Sequence, residues 1–282
     1  MALVKFITVF DDEYSSLISP EVLKRYEISA YPSIFFCDSK PYFDGVNVCS
    51  VDYVGMHNYS ETCTDPTIPV KIFKYAIEKA YDKGFNVVII VCPHGKWYPY
   101  YENACRAVKN FKRRKYKDLT TFALHVVDSK SFAAGSLFHL LTMARKHVLD
   151  HCASELVVEH GRKSAVKNFS YLISDCKTVF SDKAGELYAY KLHGYKQVPL
   201  NITDYDRFVQ YNKFAQTVAR KILEKDSKYV ISFGPDCDFA TYVVGLIEEL
   251  TGKIPVCSMQ YSVPSAAVLG DRTLCIHLFN EY

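Results

Sequence analysis

The chain has 282 residues, of which 49% are hydrophobic and 23% charged, a composition that excludes a disordered protein and allows two domains or one large one. The formal net charge of +3 at pH 7 is too small to indicate nucleic-acid binding over the whole molecule. No apolar stretch reaches the roughly 18 residues that a membrane helix needs, and no signal peptide is recognisable, so we expect a cytoplasmic protein that does not insert into a membrane.

The first half of the chain alternates between strand-like and helix-like segments. Residues 86–92 contain a continuous apolar run with β-branched residues at 87–91, typical of a strand buried on both faces, and residues 70–81 carry apolar side chains at helical spacing. The predicted order is strand 3–10, helix 20–26, strand 28–36, loop 47–69, helix 70–81, strand 86–92, helix 101–111, strand 120–127 and helix 131–150. This alternation indicates a parallel sheet with crossover helices.

The most informative segment is residues 124–135, where an apolar strand stops at Asp128-Ser129 and a helical pattern begins at once. Either side chain is expected to cap the helix by accepting from its free backbone N–H groups. In open α/β sheets, ligands bind at such strand ends.

The rhythm changes after about residue 155. The predicted elements are strand 186–192, helix 205–223, strand 228–233, helix 239–250, strand 254–259 and strand 274–279. Strands at hairpin-like spacing among helices suggest a smaller α+β domain. The fold class is therefore α/β, with a parallel-sheet domain over residues 1–155 and a smaller α+β domain over residues 156–282.

Cysteines and basic residues give weaker signals. The chain has 10 cysteines, but none forms a C-x-x-C pair and their spacing matches no zinc pattern, so we expect mostly buried thiols and no metal site. A basic run between Lys109 and Lys117 is interpreted as a solvated helix end, with a nucleic-acid or acidic-partner site as the alternative.

Several local patterns occur in an order that resembles the DegV family, two-domain proteins that bind a fatty acid. They are Tyr-Phe-Asp-Gly at 42–45, Asn-Ala at 103–104, Val-Asp-Ser at 127–129 with Gly135, Gly161-Arg162 followed by Lys177, Gly-Glu-Leu at 185–187, and Thr-Leu-Cys-Ile at 273–276. Each pattern is weak alone, and their common order carries the resemblance, which spans nearly the whole chain. It implies a non-enzymatic protein without a cofactor, which holds a long-chain fatty acid between its domains and presents the carboxylate to a separate fatty acid kinase.

The departures from the family lie in the loops whose hydroxyls hold the fatty-acid carboxylate. The family's Thr-Ser-Gln-Pro loop is replaced by residues 64–69, its Ser-Ser-x-x-Ser-Gly-Thr loop by residues 94–100, and its His-Thr-Gly-Pro-Gly element by residues 268–272. The resemblance therefore implies that the ligand-binding residues lie in and near these segments. The candidates in these segments are His94, Gly95 (through its N–H), Tyr98, Thr64, Thr67 and Arg272, with Lys96 as an additional donor. Arg162 and Lys177 are further candidates, because they match the family's Gly-Arg and Lys-Pro elements and are expected beside the head group.

Other interpretations remain open. A histidine can donate to a carboxylate from either ring nitrogen, but His94 can equally cap the following helix or face solvent. The fold can bind a different amphiphile, or serve as an interaction module. A weaker hypothesis is an enzyme in which Cys92 and His94 form a thiol–imidazole pair, although no P-loop or other catalytic motif is present.

Overall fold

The computed structural model describes residues 3–10, 19–59, 63–114, 122–176 and 186–279. The strands are β1 (Val4–Phe10), β2 (Ile28–Pro32), β3 (Ile34–Cys37), β4 (Lys40–Phe43), β5 (Val87–Cys92), β6 (Ala123–Asp128), β7 (Phe169–Ser174), β8 (Tyr188–His193), β9 (Lys196–Pro199), β10 (Lys228–Phe233), β11 (Ser258–Gln260) and β12 (Thr273–Phe279). The helices are α1 (Pro20–Arg25), α2 (Ser50–Tyr59), α3 (Val70–Asp82), α4 (Tyr100–Arg114), α5 (Ala133–Val148), α6 (Ser154–Lys167), α7 (Arg207–Lys225), α8 (Ala240–Thr251) and α9 (Val263–Leu269).

The first sheet is parallel throughout, with strand order β2-β1-β5-β6. All six residues of β5 are buried, because helices cover both faces of this sheet. Phe73 and Ile77 of α3 pack on one face, while Leu140 of α5 and Val157 of α6 pack on the other. The predicted parallel α/β sheet is confirmed.

The second sheet is mixed, with strand order β11-β10-β12-β7-β8-β9. All its pairings are antiparallel except that of β10 with β11. Helices α7 and α8 pack against each other and contribute Phe214, Val218 and Val243 to the core of this sheet. The α+β character predicted for the second half of the chain is therefore present.

Three local predictions differ from the structure. The apolar run 28–36 divides at Ser33, so that β2 joins the first sheet while β3 forms a separate hairpin with β4. The chain reverses at Asp38 and Ser39, which both adopt positive φ as a tight hairpin requires. The loop predicted over 47–69 contains α2, and β7, α6 and α9 were not predicted at all.

Helix α6 bears on the domain division. The predicted boundary at residues 155 and 156 falls in its first turn, and the helix packs against β6 and α5 of the first sheet. The division itself stays a prediction. In the described part of the chain, no helix is long and apolar enough to cross a bilayer.

Candidate functional site

A cleft of about 510 Å³ opens where three segments meet: the loop before α3, the turn after β5, and α9. The described residues that line it are Asp65, Pro66, Thr67, Gly95, Lys96, Trp97, Tyr98, Pro99, Glu102, Pro264, Ala267 and Val268. The turn lies at the carboxyl end of a central parallel strand, which is where open α/β sheets bind ligands. The structure thus brings together Thr67, Gly95 and Tyr98 of the residues predicted from sequence.

His94 is buried beside this cleft and does not line it. Its Nδ1 accepts from the Lys96 backbone N–H at 3.3 Å, so the neutral ring donates from Nε2 to the Gly194 carbonyl at 3.1 Å. Burial lowers the pKa of His94 to about 4, and the ring packs against Trp97 at a centroid distance of 3.9 Å. With both nitrogens engaged, His94 connects the turn after β5 to the β8–β9 hairpin and has no donor left for a ligand.

Asp128 makes contacts other than the predicted helix cap. Helix α5 begins five residues later, at Ala133, without a side-chain cap. The Asp128 carboxylate instead accepts from the Gly95 N–H at 3.1 Å, from the Lys130 N–H at 2.8 Å and from the Tyr195 hydroxyl. Desolvation, reinforced by this carboxylate, raises the pKa of Tyr195. The Gly95 N–H therefore already has an acceptor within the protein. Gly95 lines the cleft only as part of its backbone surface.

Gly95 is needed at this point because the backbone approaches the carboxylate closely. A Cβ atom added to it would lie 2.9 Å from Asp128 Oδ2 and 3.1 Å from the Tyr101 Cβ. The first distance is shorter than real Cβ contacts, and the second is tight enough that Tyr101 would have to shift. The glycine thus permits the junction between the ends of β5 and β6.

The two predicted threonines have different surroundings. Thr64 Oγ1 accepts from the Phe36 N–H at 2.9 Å, which fastens the loop to β3 outside the cleft. Thr67 pairs with Ile34 through its backbone, and its Oγ1 lies 3.4 Å from the donating Asn103 Nδ2. Because the Thr67 oxygen accepts in this contact, its own O–H can donate into the cleft.

A disulfide between Cys37 and Cys63 holds the same loop against β3. This pair corrects the expectation that the cysteines are mostly buried thiols, since it is oxidised and the two residues are 26 positions apart. Among the eight other cysteines, all of them free, only Cys92 and Cys275 are fully buried. No group of three or more His, Cys, Asp or Glu residues within the described ranges is arranged to hold a metal ion.

A buried hydroxyl cluster lies behind the cleft and was not found from the sequence. Tyr98 donates to Ser265 of α9 at 3.4 Å, and burial raises the pKa of Tyr261, which lies close enough to Tyr98 to be affected by it. Tyr261 and Ser262 are fully buried, and their hydroxyls have no hydrogen-bond partner among the described residues. Such groups cost about 1–3 kcal/mol each unless a ligand or water satisfies them.

The remaining predicted residues do not lie in the cleft. Arg162 lines a separate groove beside α6. Arg272 forms an ion pair at 2.7 Å with Asp175, whose carboxylate also binds Arg207 at 2.7 Å. Lys177 lies outside the described residues. The ligand roles of the predicted residues stay predictions.

Lys96 is the only base among the described lining residues. Its ammonium lies 5.0 Å from the Trp97 ring centroid and forms no ion pair with a described carboxylate. Asp65 and Glu102 are exposed at the rim, where Glu102 pairs with Arg106 at 2.5 Å. The cleft therefore combines one available cation, one hydroxyl donor and apolar walls.

The thiol–imidazole hypothesis is not supported by the environment of Cys92. The residue is fully buried, and desolvation raises the pKa of its thiol well above the ordinary value. A catalytic thiol requires the opposite shift, since the thiolate is the nucleophile. Both ring nitrogens of His94, moreover, are hydrogen-bonded to backbone groups.

No protein-family model and no curated protein matches the sequence. Solved structures do match over the whole chain. A fatty-acid-binding DegV family protein from Thermus thermophilus superposes with a TM-score of 0.74 at 13% identity, covering 99% of this chain and 100% of its own. A stearic acid-binding protein from Eubacterium ventriosum gives 0.76 at 14% identity, with 99% and 98% covered. The fatty acid binding protein DegV from Bacillus subtilis gives 0.74 at 13% identity, with 99% and 100% covered. The chain therefore has the fold of these proteins, as the motif order predicted.

Proposed function

We propose that this protein binds a long-chain fatty acid or a similar acyl lipid, with the head group in the cleft formed by the Thr67 loop, the turn after β5 and α9, and that it carries out no chemistry itself. The observation that carries the proposal is the cleft. It lies at the strand end where this fold presents its loops, and it contains an available cation beside apolar walls. Its volume falls within the range of about 300–1,000 Å³ typical of small-molecule sites. The fatty acids named for structures of the same fold support the assignment.

The head group is held by two residues in this proposal. The Lys96 ammonium pairs with the carboxylate, and the Thr67 hydroxyl donates to it. A carboxylate drawn partly out of water needs such charge-assisted bonds, since burial without them costs several kcal/mol. This arrangement replaces the role that the sequence suggested for His94.

The acyl chain supplies most of the affinity. Each buried CH₂ contributes about 0.8 kcal/mol, so a chain of ordinary length gains enough to offset its ordering. Pro264, Ala267 and Val268 form an apolar wall on the α9 side of the cleft. We place the tail beyond this wall, toward the second sheet.

Native mass spectrometry of the purified protein tests the proposal directly. A co-purified mass of a long-chain fatty acid is expected, and delipidated protein should bind a fluorescent fatty acid. Protein that carries no lipid and ignores the probe would overturn the proposal.

Two substitutions test the head-group contacts. Lys96→Met and Thr67→Val should each weaken fatty-acid binding by about 1–3 kcal/mol, since each removes a hydrogen bond to a charged group. Lys109→Met, at an exposed position of α4 outside the cleft, is the matched control and should bind like the wild type. Unchanged affinity in both cleft variants would overturn the assigned head-group site. Whether the protein binds a lipid at all is decided by the mass measurement.

Presentation to a kinase is a further part of the proposal. A head group at an open cleft stays accessible to a second protein that transfers phosphate to the carboxylate, and such a reaction needs ATP and therefore a cytoplasmic location. The test is acyl phosphate formation from the bound fatty acid by a fatty acid kinase with ATP, trapped as the hydroxamate. No product above that from the free fatty acid would contradict it.

A second candidate is an amphiphile with a neutral or zwitterionic head group. Asp65 and Glu102 favour it, because the residues that line the cleft include two carboxylates and one ammonium. The mass of the co-purified ligand distinguishes the two candidates. In a fluorescence competition assay, a lysolipid would then displace the probe at lower concentration than a free fatty acid does.

A further inference from the structure

We infer that the exposed face of α6 is an interface for a second copy of this chain, with the two helices antiparallel. The α6 face is defined by Glu155, Leu156, Glu159, Arg162, Lys163, Val166 and Lys167, all of which are exposed. This inference is independent of the proposed lipid ligand.

The α6 face is open and carries large apolar side chains. Leu156 is 60% exposed and Val166 is 47% exposed. A groove of about 540 Å³ runs along the helix and is closed on the other side by His125 of β6. Val158 and Val166 contribute apolar atoms to this groove. The surface thus offers both a protruding leucine and a recess.

The charges along the α6 face have opposite signs at the two ends of the helix. Glu155 and Glu159 lie before Gly161, whereas Lys163 and Lys167 lie after it. Glu155 and Lys167, Leu156 and Val166, and Glu159 and Lys163 stand at equal distances from Gly161, whereas His160 and Arg162, the pair next to it, are not complementary. Two antiparallel copies therefore place glutamates opposite lysines and leucine opposite valine.

This pattern selects a second copy in one orientation. A twofold interface uses the same patch on both subunits, so the patch must be complementary to itself. Parallel copies would place like charges together and repel each other. In the antiparallel arrangement the Leu156 of one copy reaches the Val166 end of the other copy's groove. The Glu159–Lys163 ion pair at 2.5 Å within one chain can exchange for the same pair between chains.

Helix α6 is fixed in position by its packing against the first sheet and α5. Its other face buries Val157 and Ala165, and a Cβ on Gly161 would lie 2.5 Å from Met143 Sδ of α5. The close packing at Gly161 fixes the helix on the first sheet, so the α6 face is preformed. A 14-residue helix covers less area than a standard interface, and we therefore expect a reversible, concentration-dependent dimer.

Charge reversal with mixing tests the interface. The double variants Glu155→Lys/Glu159→Lys and Lys163→Glu/Lys167→Glu are each compared with the wild type by sedimentation velocity over a range of concentrations. The wild type should dimerise, and each reversed variant should have its dissociation constant raised about tenfold or more, because attraction becomes repulsion at four contacts. An equimolar mixture of the two variants should form a heterodimer, and added salt should weaken the wild-type dimer.

Glu224→Lys/Glu249→Lys is the matched control for the Glu155→Lys/Glu159→Lys variant, since it changes the net charge by the same amount at exposed positions of α7 and α8. It should dimerise as the wild type does. A wild type that stays monomeric at all concentrations, or two reversed variants that fail to associate when mixed while each is folded by circular dichroism, would overturn the inference.

Discussion

For Asp128, the predicted position at a strand end is correct, whereas the predicted role as a helix cap is wrong. The sequence predicts that it stands where a strand ends, and it does, as the last residue of β6. Its expected partners, the first N–H groups of the next helix, are replaced by Gly95 and Tyr195. The β5–β6 register brings Cys92 opposite Asp128, which sets the following turn beside the carboxylate. Such a neighbour across the sheet cannot be recognised from the residues adjacent in sequence.

The hydroxyl cluster behind the cleft could not be predicted from the sequence. Tyr261 and Ser265 lie in no motif, and their significance comes from being buried close to Tyr98. By contrast, Gly95 and Tyr98 were predicted because the resemblance places a head-group loop after this buried strand. Position after a strand end is visible in a sequence, whereas convergence of distant segments is not.

Tyr261→Phe should stabilise the ligand-free protein. The Tyr261 hydroxyl is buried without a partner in the described structure, so removing it should raise the free energy of unfolding by about 1 kcal/mol. Tyr229→Phe is the matched control: Tyr229 is equally buried but donates to the Lys253 carbonyl at 2.8 Å, so its loss should destabilise by a similar amount. Urea unfolding of delipidated protein measures both, and equal destabilisation by the two variants would contradict the assignment.

At the scale of the elements, long periodic segments were predictable and short ones were not. Helices α3 and α4 and strand β5 lie close to their predicted positions because apolar periodicity or a continuous β-branched run marks them. Helix α2 has little apolar periodicity, and only Tyr53 of its described side chains is a buried aromatic. It owes its place to packing against α9, a contact between segments more than 200 residues apart.

The disulfide between Cys37 and Cys63 should stabilise the loop that carries Thr67. Closing a loop of this length contributes about 2–4 kcal/mol by restricting the unfolded chain. Reduction, or Cys37→Ala/Cys63→Ala, should lower the melting temperature and weaken ligand binding at the cleft. Thermal unfolding with and without reductant measures the first effect, and alkylation under denaturing, non-reducing conditions should label eight thiols of ten. Labelling of all ten would show that the pair is not oxidised.

For the whole molecule, the alternation of strands and helices was sufficient to predict a parallel sheet followed by an α+β part, although β7, α6, α9 and most residues that line the cleft were not predicted. The order of the elements is kept at 10–14% identity to proteins of the same fold. Specific loops diverge first because they carry ligand contacts rather than the core. In this chain, the strand end at Asp128 keeps the predicted position, while the turn at His94 differs from the expected hydroxyl loop.

Buried neutral histidines should make the whole molecule sensitive to acid. Burial lowers the pKa of His94 and of His139 to about 4, and that of His277 to about 3. Each of these values lies below that of the unfolded chain, near 6.5, so the unfolded state takes up protons first as the pH falls. The stabilisation is therefore complete above pH 6.5 and is lost between about pH 6.5 and 4, with a slope of up to about 1.4 kcal/mol per pH unit for each histidine.

Urea unfolding at several pH values measures this slope. His277 accepts or donates hydrogen bonds with Ser170 at 2.8 Å and Ser232 at 3.0 Å, so it joins two strands of the second sheet while His94 joins the turn after β5 to the β8–β9 hairpin. Protonation of either ring would remove the hydrogen bond that its unprotonated nitrogen accepts. His94→Gln keeps a side chain able to donate and accept. It should lower the number of protons taken up on unfolding by about one, and it should also lower stability at neutral pH. A slope unchanged from that of the wild type would show that His94 is not held neutral by burial.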